Sequence, residues 1–261
     1  MSTSLPYDIV GRIIDILAEE GDLTPVKNAS LTSSSVLHFC RRHIFHTVSS
    51  YSNRKSVKKQ FIKLLVNNPA IVQYIRELDY LVQYTDYQLS PLLPNLLHTI
   101  SHLKCLKIGS DGVDWIEMDP LLRSTLLHLM YLPTLTHVVI RNVWNMPISA
   151  FAPCINLKQL DIRYITFAPF EDQNSSLQRS YSQTPRILHF RSVSSQTAVK
   201  SLLQARWRDG RPVLDFAHVK TLVLEFDMFQ DVQLTRELFE NISYLEELQI
   251  NGKFTFLIFL N

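Results

Sequence analysis

One short pattern of apolar residues returns seven times between residue 75 and the end of this chain of 261 residues. Each copy has apolar residues at its first, fourth and sixth positions. Because alternate residues of a strand point to the same side, the fourth and sixth positions predict a short strand with one buried face. The copies are Ile75-Leu78-Tyr80, Leu103-Leu106-Ile108, Leu135-Val138-Ile140, Leu157-Leu160-Ile162, Pro185-Leu188-Phe190, Val219-Leu222-Leu224 and Leu245-Leu248-Ile250.

Apolar residues at helical spacing fill most of the intervals between these strands. Helices are predicted over residues 56–67, 88–100, 120–132, 197–207 and 235–242, an extended return over 147–153 and a polar loop over 168–184. The middle residues of successive copies are 22 to 34 residues apart, which is typical of leucine-rich repeats. One strand and its helix cannot bury their apolar faces alone, whereas stacked units build a continuous core.

We therefore predict an α/β fold, a leucine-rich-repeat solenoid of about seven irregular repeats over residues 74–261. Short parallel strands would line its concave face, and helices would cover its convex face. The apolar residues 254–260 belong either to an incomplete last repeat or to a segment that tucks under the last strand.

The first 50 residues carry a different pattern, which predicts three short helices. Gly21 follows the first helix and can take the left-handed conformation that ends it. Thr24-Pro25 begins the second helix, and the third follows the serines at 33–35. One face of the first helix carries Leu5, Ile9, Ile13, Ile16 and Leu17.

This stretch resembles the F-box in the form common in fungal proteins. The matching residues are Leu5-Pro6, Asp8-Ile9-Val10, Ile13-Ile14-Asp15-Ile16-Leu17, Ala29-Ser30-Leu31-Thr32-Ser33 and Arg42-His43-Ile44-Phe45. The family often has tryptophan at the position of Val36. The resemblance implies an F-box-like module over residues 1–50, followed by a connecting helix or solenoid cap over 51–73. It implies adaptor-binding roles for Leu5, Pro6, Ile9, Ile13, Leu31, Val36 and Phe45.

The same resemblance implies a non-catalytic substrate receptor. The F-box would dock on a Skp-family adaptor and, through it, on a cullin–RING ubiquitin ligase, while the repeats would hold an unknown protein substrate. A second possibility stays open: a leucine-rich-repeat interaction scaffold with no ubiquitin role, whose first helices only cap the solenoid.

The outward positions of the predicted strands define a binding face. If the seven copies are aligned, Arg141, Arg163 and Arg191 stand in one column of three successive strands. Such a column predicts binding of an acidic or phosphorylated segment, although a plain solvated face has the same pattern. The residues predicted for this concave face are Lys107, His137, Arg141, Asp161, Arg163, His189 and Arg191.

Composition narrows the remaining function classes. A net charge of +2 with no basic stripe argues against nucleic acid, and no apolar run is long enough for a membrane span. Three widely spaced cysteines favour free thiols and therefore the cytoplasm or the nucleus. Because no phosphate-binding glycine loop, nucleophile elbow or third ligand for His98 and His102 is present, we expect no enzyme activity, cofactor or metal.

Overall fold

The computed structural model describes residues 6–50, 55–83, 92–170, 184–193, 196–226, 236 and 239–252. Three helices come first in these residues: α1 (Tyr7–Glu19), α2 (Thr24–Ser30) and α3 (Ser34–Ile44). Gly21 has φ +83°, which is the left-handed stop predicted after the first helix. Leu5 lies outside the described residues.

A single sheet of eight strands follows, and every neighbouring pair is parallel. The strands stand in the same order in the sheet as in the chain. Strands β1 to β8 are Thr47–Ser49, Glu77–Val82, Cys105–Asp114, His137–Trp144, Gln159–Arg163, His189–Val193, Thr221–Phe226 and Glu247–Gly252. This architecture confirms the predicted α/β class with parallel strands.

Helices connect many of the successive strands. The described α-helices of this part are α4 (Lys55–Asn67), α5 (Leu92–His98), α6 (Pro120–Met130) and α7 (Gln196–Gln204). Two 3₁₀ helices, Pro69–Tyr74 and Ile148–Phe151, fill shorter connections. The second of these stands where the sequence predicted an extended return, and Phe151 from it is buried in the core.

The main core lies between the sheet and these helices. Its central row contains one residue from each of six successive strands, all of them buried and paired in register. That row is Leu78, Leu106, Val138, Leu160, Phe190 and Leu222. Because side chains alternate along a strand, the residues just before and just after each of these six in sequence stand on the opposite face of the sheet. We call this face the open face.

The register of β6 differs from the sequence prediction by two residues. Phe190 pairs with Leu160 and Leu222, so the prediction that Leu188 occupies the central row is wrong. The copy present in this strand is Ile187-Phe190-Ser192, and Ser192 is buried where the pattern expects an apolar side chain. This polar residue hid the true register from an analysis based on apolar spacing.

The three N-terminal helices have a small core of their own. Ile14, Val26 and Cys40 are buried together, separately from the main core. Gly11 permits the close approach of α1 and α3, because a Cβ atom at this position would stand 2.8 Å from Cε1 of Phe39. The module is joined to the sheet through β1, which pairs with β2, and through Phe45 and Val48, which pack against the main core.

Two further features bear on the environment of the chain. Among the described helices, none combines the length and the apolar content needed to cross a membrane. The thiols of Cys40, Cys105 and Cys154 are free and buried. Burial raises the pKa of Cys105 to about 11 and that of Cys154 to about 12.

These thiols are expected to be unreactive in the folded protein. At pH 8 a thiol whose pKa is near 11 carries roughly a hundredfold less thiolate than an ordinary cysteine, and burial also blocks access. Ellman's reagent should therefore label the three thiols only after denaturation. Rapid labelling of the native chain at either Cys105 or Cys154 would contradict the buried placement of that residue.

Candidate functional site

Helix α1 presents an apolar stripe to solvent. Ile9, Ile13 and Ile16 are between 43% and 47% exposed, and their spacing of four and three residues aligns them along one side of the helix. The module's own core uses a different side of α1, where Gly11 and Ile14 are buried. We call the three isoleucines the α1 stripe.

The other residues predicted to bind an adaptor divide into two groups. Pro6 is exposed, and Leu31, just after α2, is 85% exposed. Val36 instead packs against the small core of the helical module, and Phe45 packs against the main core. Four of the predicted residues are therefore available to a partner: Pro6, Ile9, Ile13 and Leu31. Ile16 was not among the residues predicted to bind an adaptor, although it is exposed on the same stripe.

A polar contact fixes α1 against α3 beside the stripe. Asp15 accepts hydrogen bonds from Arg42 and from Nε2 of His43, the latter at 2.7 Å. Desolvation acts to raise the pKa of Asp15, but the hydrogen bonds from His43 and Arg42 hold it below its ordinary value. The orientation of the stripe is thus set by both apolar packing and a charged contact.

The open face of the sheet contains a second possible site, a depression of about 410 Å³. All seven residues predicted for the concave face line it: Lys107, His137, Arg141, Asp161, Arg163, His189 and Arg191. The sequence therefore located this surface, although it did not predict how the charges pair. Burial lowers the pKa of His137, which favours its neutral form.

The predicted column of three arginines is wrong in one member. Arg141 and Arg163 are direct neighbours on β4 and β5, but Arg163 is followed on β6 by Val193. Arg191 stands opposite Asp161 instead. The reason is the two-residue shift of β6, which moves Arg191 to the middle position of its strand.

Two of the arginines are held by carboxylates of the same face. Arg163 donates from Nε to Oδ1 of Asp161 at 3.0 Å and from Nη2 to Oδ2 at 2.6 Å. These hydrogen bonds raise the pKa of Arg163. Arg191 donates to Glu225 on β7. Each pair is partly exposed, so it contributes to side-chain positions more than to stability.

Arg141 differs from these two arginines. Within the described chain its guanidinium makes no hydrogen bond and no ion pair, and its Nε atom is buried without a partner. The Nε atom of Arg191 is also buried without a partner, but Nη2 of Arg191 is bonded to Glu225. On β2, the Oδ1 atom of Asp79 is also buried without a hydrogen-bond partner in the described chain. Burial raises the pKa of Asp79, while the positive charges of Arg141 and Lys107 act to lower it. Asp79 stands between the buried positions Leu78 and Tyr80, so the pattern points it outward, but nothing in the sequence marked it as functional.

The described residues contain no group of three or more His, Cys, Asp and Glu side chains that could hold a metal ion. His98 on α5, the nearest approach to such a site in the sequence, stacks on His128 of α6 with 3.7 Å between ring centroids. Burial and the charge of His98 lower the pKa of His128 from 6.5.

This histidine stack gives the protein a predictable pH dependence. Since the pKa of His128 is lower in the folded chain, the unfolded chain binds the proton more readily. The free energy of unfolding should therefore decrease as pH falls below about 6.5 and level off once pH passes the folded pKa. Urea denaturation between pH 8 and pH 5 measures this decrease. The variant His128→Gln should reduce it, and an unchanged pH dependence would contradict the assignment.

Comparison with known proteins adds little to this geometry. No family model matches the chain, and no curated protein matches it. Among solved structures, the crystal structure of a protein from Bacteroides fragilis is similar with 15% sequence identity and a TM-score of 0.41. The similarity covers 75% of this chain and 60% of that chain.

Proposed function

We propose that this chain is a non-catalytic substrate receptor of a Skp–cullin–F-box ubiquitin ligase. In this proposal α1 to α3 form an F-box that docks on a Skp-family adaptor, and the sheet with its helices is a leucine-rich-repeat arc that binds the protein substrate. The observation that carries the proposal is the α1 stripe, together with Leu31, another exposed apolar residue of the module.

The α1 stripe supports a docking role because exposed apolar side chains gathered on one side of a helix are unfavourable in water. Each of its three isoleucines still exposes a little under half of its surface. Covering that surface in a complex would contribute roughly 1 kcal/mol for each isoleucine. A helix that presents apolar residues at i, i+4 and i+7 also matches the way amphipathic helices dock on apolar grooves.

The mechanism that follows is proximity rather than chemistry within this chain. An adaptor held by α1 and a substrate held by the open face would belong to one assembly, so the ligase would meet its target at high effective concentration. Ubiquitin transfer would be carried out by the partner proteins. The buried free thiols suit the cytoplasm or the nucleus, where such ligases act.

One observation also favours the alternative of an interaction scaffold. Strand β1 covers one edge of β2, and Phe45 and Val48 anchor the helical module to the main core. Solenoids need such terminal caps, so these contacts would be present without any adaptor. Capping alone, however, does not require the apolar residues of α1 to face solvent.

Co-purification with an adaptor separates the two possibilities. The intact chain should retain a fungal Skp-family adaptor on an affinity resin, and a variant with both Ile9→Asp and Ile13→Asp should not. Retention that is equal for the intact chain and the double variant would leave the α1 stripe without a docking role. No retention by the folded intact chain would favour the scaffold.

A further inference from the structure

We infer that the open face binds its protein target through a single side-chain carboxylate, with Arg141 as the anchor. The inference rests on the proposed function and specifies the chemistry of the substrate segment. It replaces the wider expectation of a three-arginine surface for acidic or phosphorylated sequences. Its basis is the unequal state of the charges that line the depression.

Arg141 is the arginine whose hydrogen-bonding capacity is unused in the described part of the depression. A guanidinium has five N–H donors, and the Nε donor of Arg141 is buried without an acceptor in the described chain. Buried N–H groups without partners are unfavourable and are rare in native proteins. A carboxylate from a bound segment would supply two acceptor oxygens in the planar arrangement that a guanidinium matches.

The neighbouring arginines are poorly placed to share this task. Both carboxylate oxygens of Asp161 are engaged by Arg163, and Arg191 is engaged by Glu225. A ligand carboxylate at either arginine would stand close to the carboxylate that this arginine already binds, and the repulsion between the two would weaken its binding there. Anion recognition is therefore concentrated at Arg141.

An incoming group can reach Arg141 from the depression, which this side chain lines. Its neighbour on β3 is Gly109, which has no side chain, whereas its neighbour on β5 is Arg163. On the far side of Gly109 stands Leu81 of β2. Gly109 and Leu81 are both buried, so this side is closed, and a ligand would approach Arg141 from the depression over β4 and β5.

The carboxylate partners of Arg163 and Arg191 favour a ligand carboxylate over a phosphate at Arg141. Carboxylates on the outward positions of β2, β5 and β7 offset the charge of the cations Lys107, Arg141, Arg163 and Arg191. Those carboxylates are Glu77, Asp79, Asp161 and Glu225. A phosphate group carries nearly two negative charges and three acceptor oxygens, which suit a cluster of free arginines, whereas the two oxygens of a carboxylate suit the one guanidinium of Arg141.

The test uses peptide libraries and the intact chain. Decapeptides with random flanking residues carry a fixed central Glu, Gln or phosphoserine, and their binding to the immobilised protein is measured. We expect the Glu library to bind about tenfold more strongly than the Gln library, since a hydrogen bond to a charged group is worth about that factor. The phosphoserine library should bind less strongly than the Glu library.

The variant Arg141→Gln should abolish the preference for Glu over Gln. Arg186→Gln is the matched control, because Arg186 is a strongly exposed arginine outside the depression and its loss should leave the preference intact. Equal binding of the Glu and Gln libraries to the unaltered chain would overturn the inference without reliance on any variant. Stronger binding of phosphoserine than of Glu would overturn the choice of a carboxylate.

Adaptor retention, measured on the same preparations, separates this inference from the function on which it rests. Arg141→Gln should retain the adaptor as the unaltered chain does, because Arg141 is remote in sequence from the α1 stripe and belongs to the sheet. If Arg141→Gln loses the preference for Glu but still retains the adaptor, the inference is supported. The other informative outcome is a chain that prefers Glu through Arg141 but does not bind the adaptor. That outcome would refute the ligase role and support the carboxylate site.

Discussion

Phe190→Ala is expected to lower the free energy of unfolding by about 3–5 kcal/mol. Phe190 is buried in the central row of the core between Leu160 and Leu222, and its ring meets that of Phe216 with 5.2 Å between centroids. Alanine would remove most of the side chain and leave a cavity that the strands on either side cannot close. Urea denaturation followed by circular dichroism measures the loss.

Leu188→Ala is the matched control for this variant. Leu188 is only partly buried and precedes β6, so its truncation should cost about 1 kcal/mol. The apolar pattern in the sequence instead predicts a large loss for both variants, because it puts Leu188 and Phe190 on the buried face. If Leu188→Ala proves more destabilising than Phe190→Ala, the register of β6 described here is wrong.

Ile13→Asp is expected to weaken adaptor binding by about 30-fold or more. Ile13 lies between Ile9 and Ile16 on the α1 stripe, so its side chain would be near the centre of a docked surface. Central apolar residues of interfaces commonly contribute 2 kcal/mol or more, and a carboxylate placed there must also lose its hydration. Titration of the purified variant with the adaptor, followed by calorimetry, measures the effect.

The control for Ile13→Asp is Ile155→Asp. Ile155 is 46% exposed, close to the 43% of Ile13, but it lies outside the helical module. Both substitutions should leave the unfolding midpoint nearly unchanged, since each replaces a half-exposed side chain. Equal weakening by the two variants would point to a general effect of the added charge and would remove the special role of the stripe.

The sequence predicted the parallel sheet because apolar residues recur at fixed positions of each strand. It missed β1, since Thr47–Ser49 is a three-residue strand with a single partly buried position, Val48, and no apolar alternation. It misplaced β6 because Ser192 interrupts the alternation with a buried polar side chain. Short strands and polar core residues are recognised only once their neighbours are known.

The candidate sites were predictable to different degrees. The pattern put Ile9, Ile13, Ile16 and Leu17 on one face of the first helix, but it did not reveal that Leu17 packs in the module core while the isoleucines remain exposed. That division depends on where α3 packs. Likewise, apolar spacing did not reveal that Glu225 binds Arg191, and the two residues meet diagonally, since the direct neighbour of Arg191 on β7 is Val223.

The central claim is that the N-terminal helices bind a Skp-family adaptor. Isothermal titration of the intact chain with a purified adaptor tests it most directly. We expect a one-to-one complex with a Kd of about 1 μM or tighter, corresponding to roughly 8 kcal/mol, and its loss in the chain carrying Ile9→Asp and Ile13→Asp. Absence of binding by the folded, unaltered chain at about 100 μM adaptor would contradict the claim.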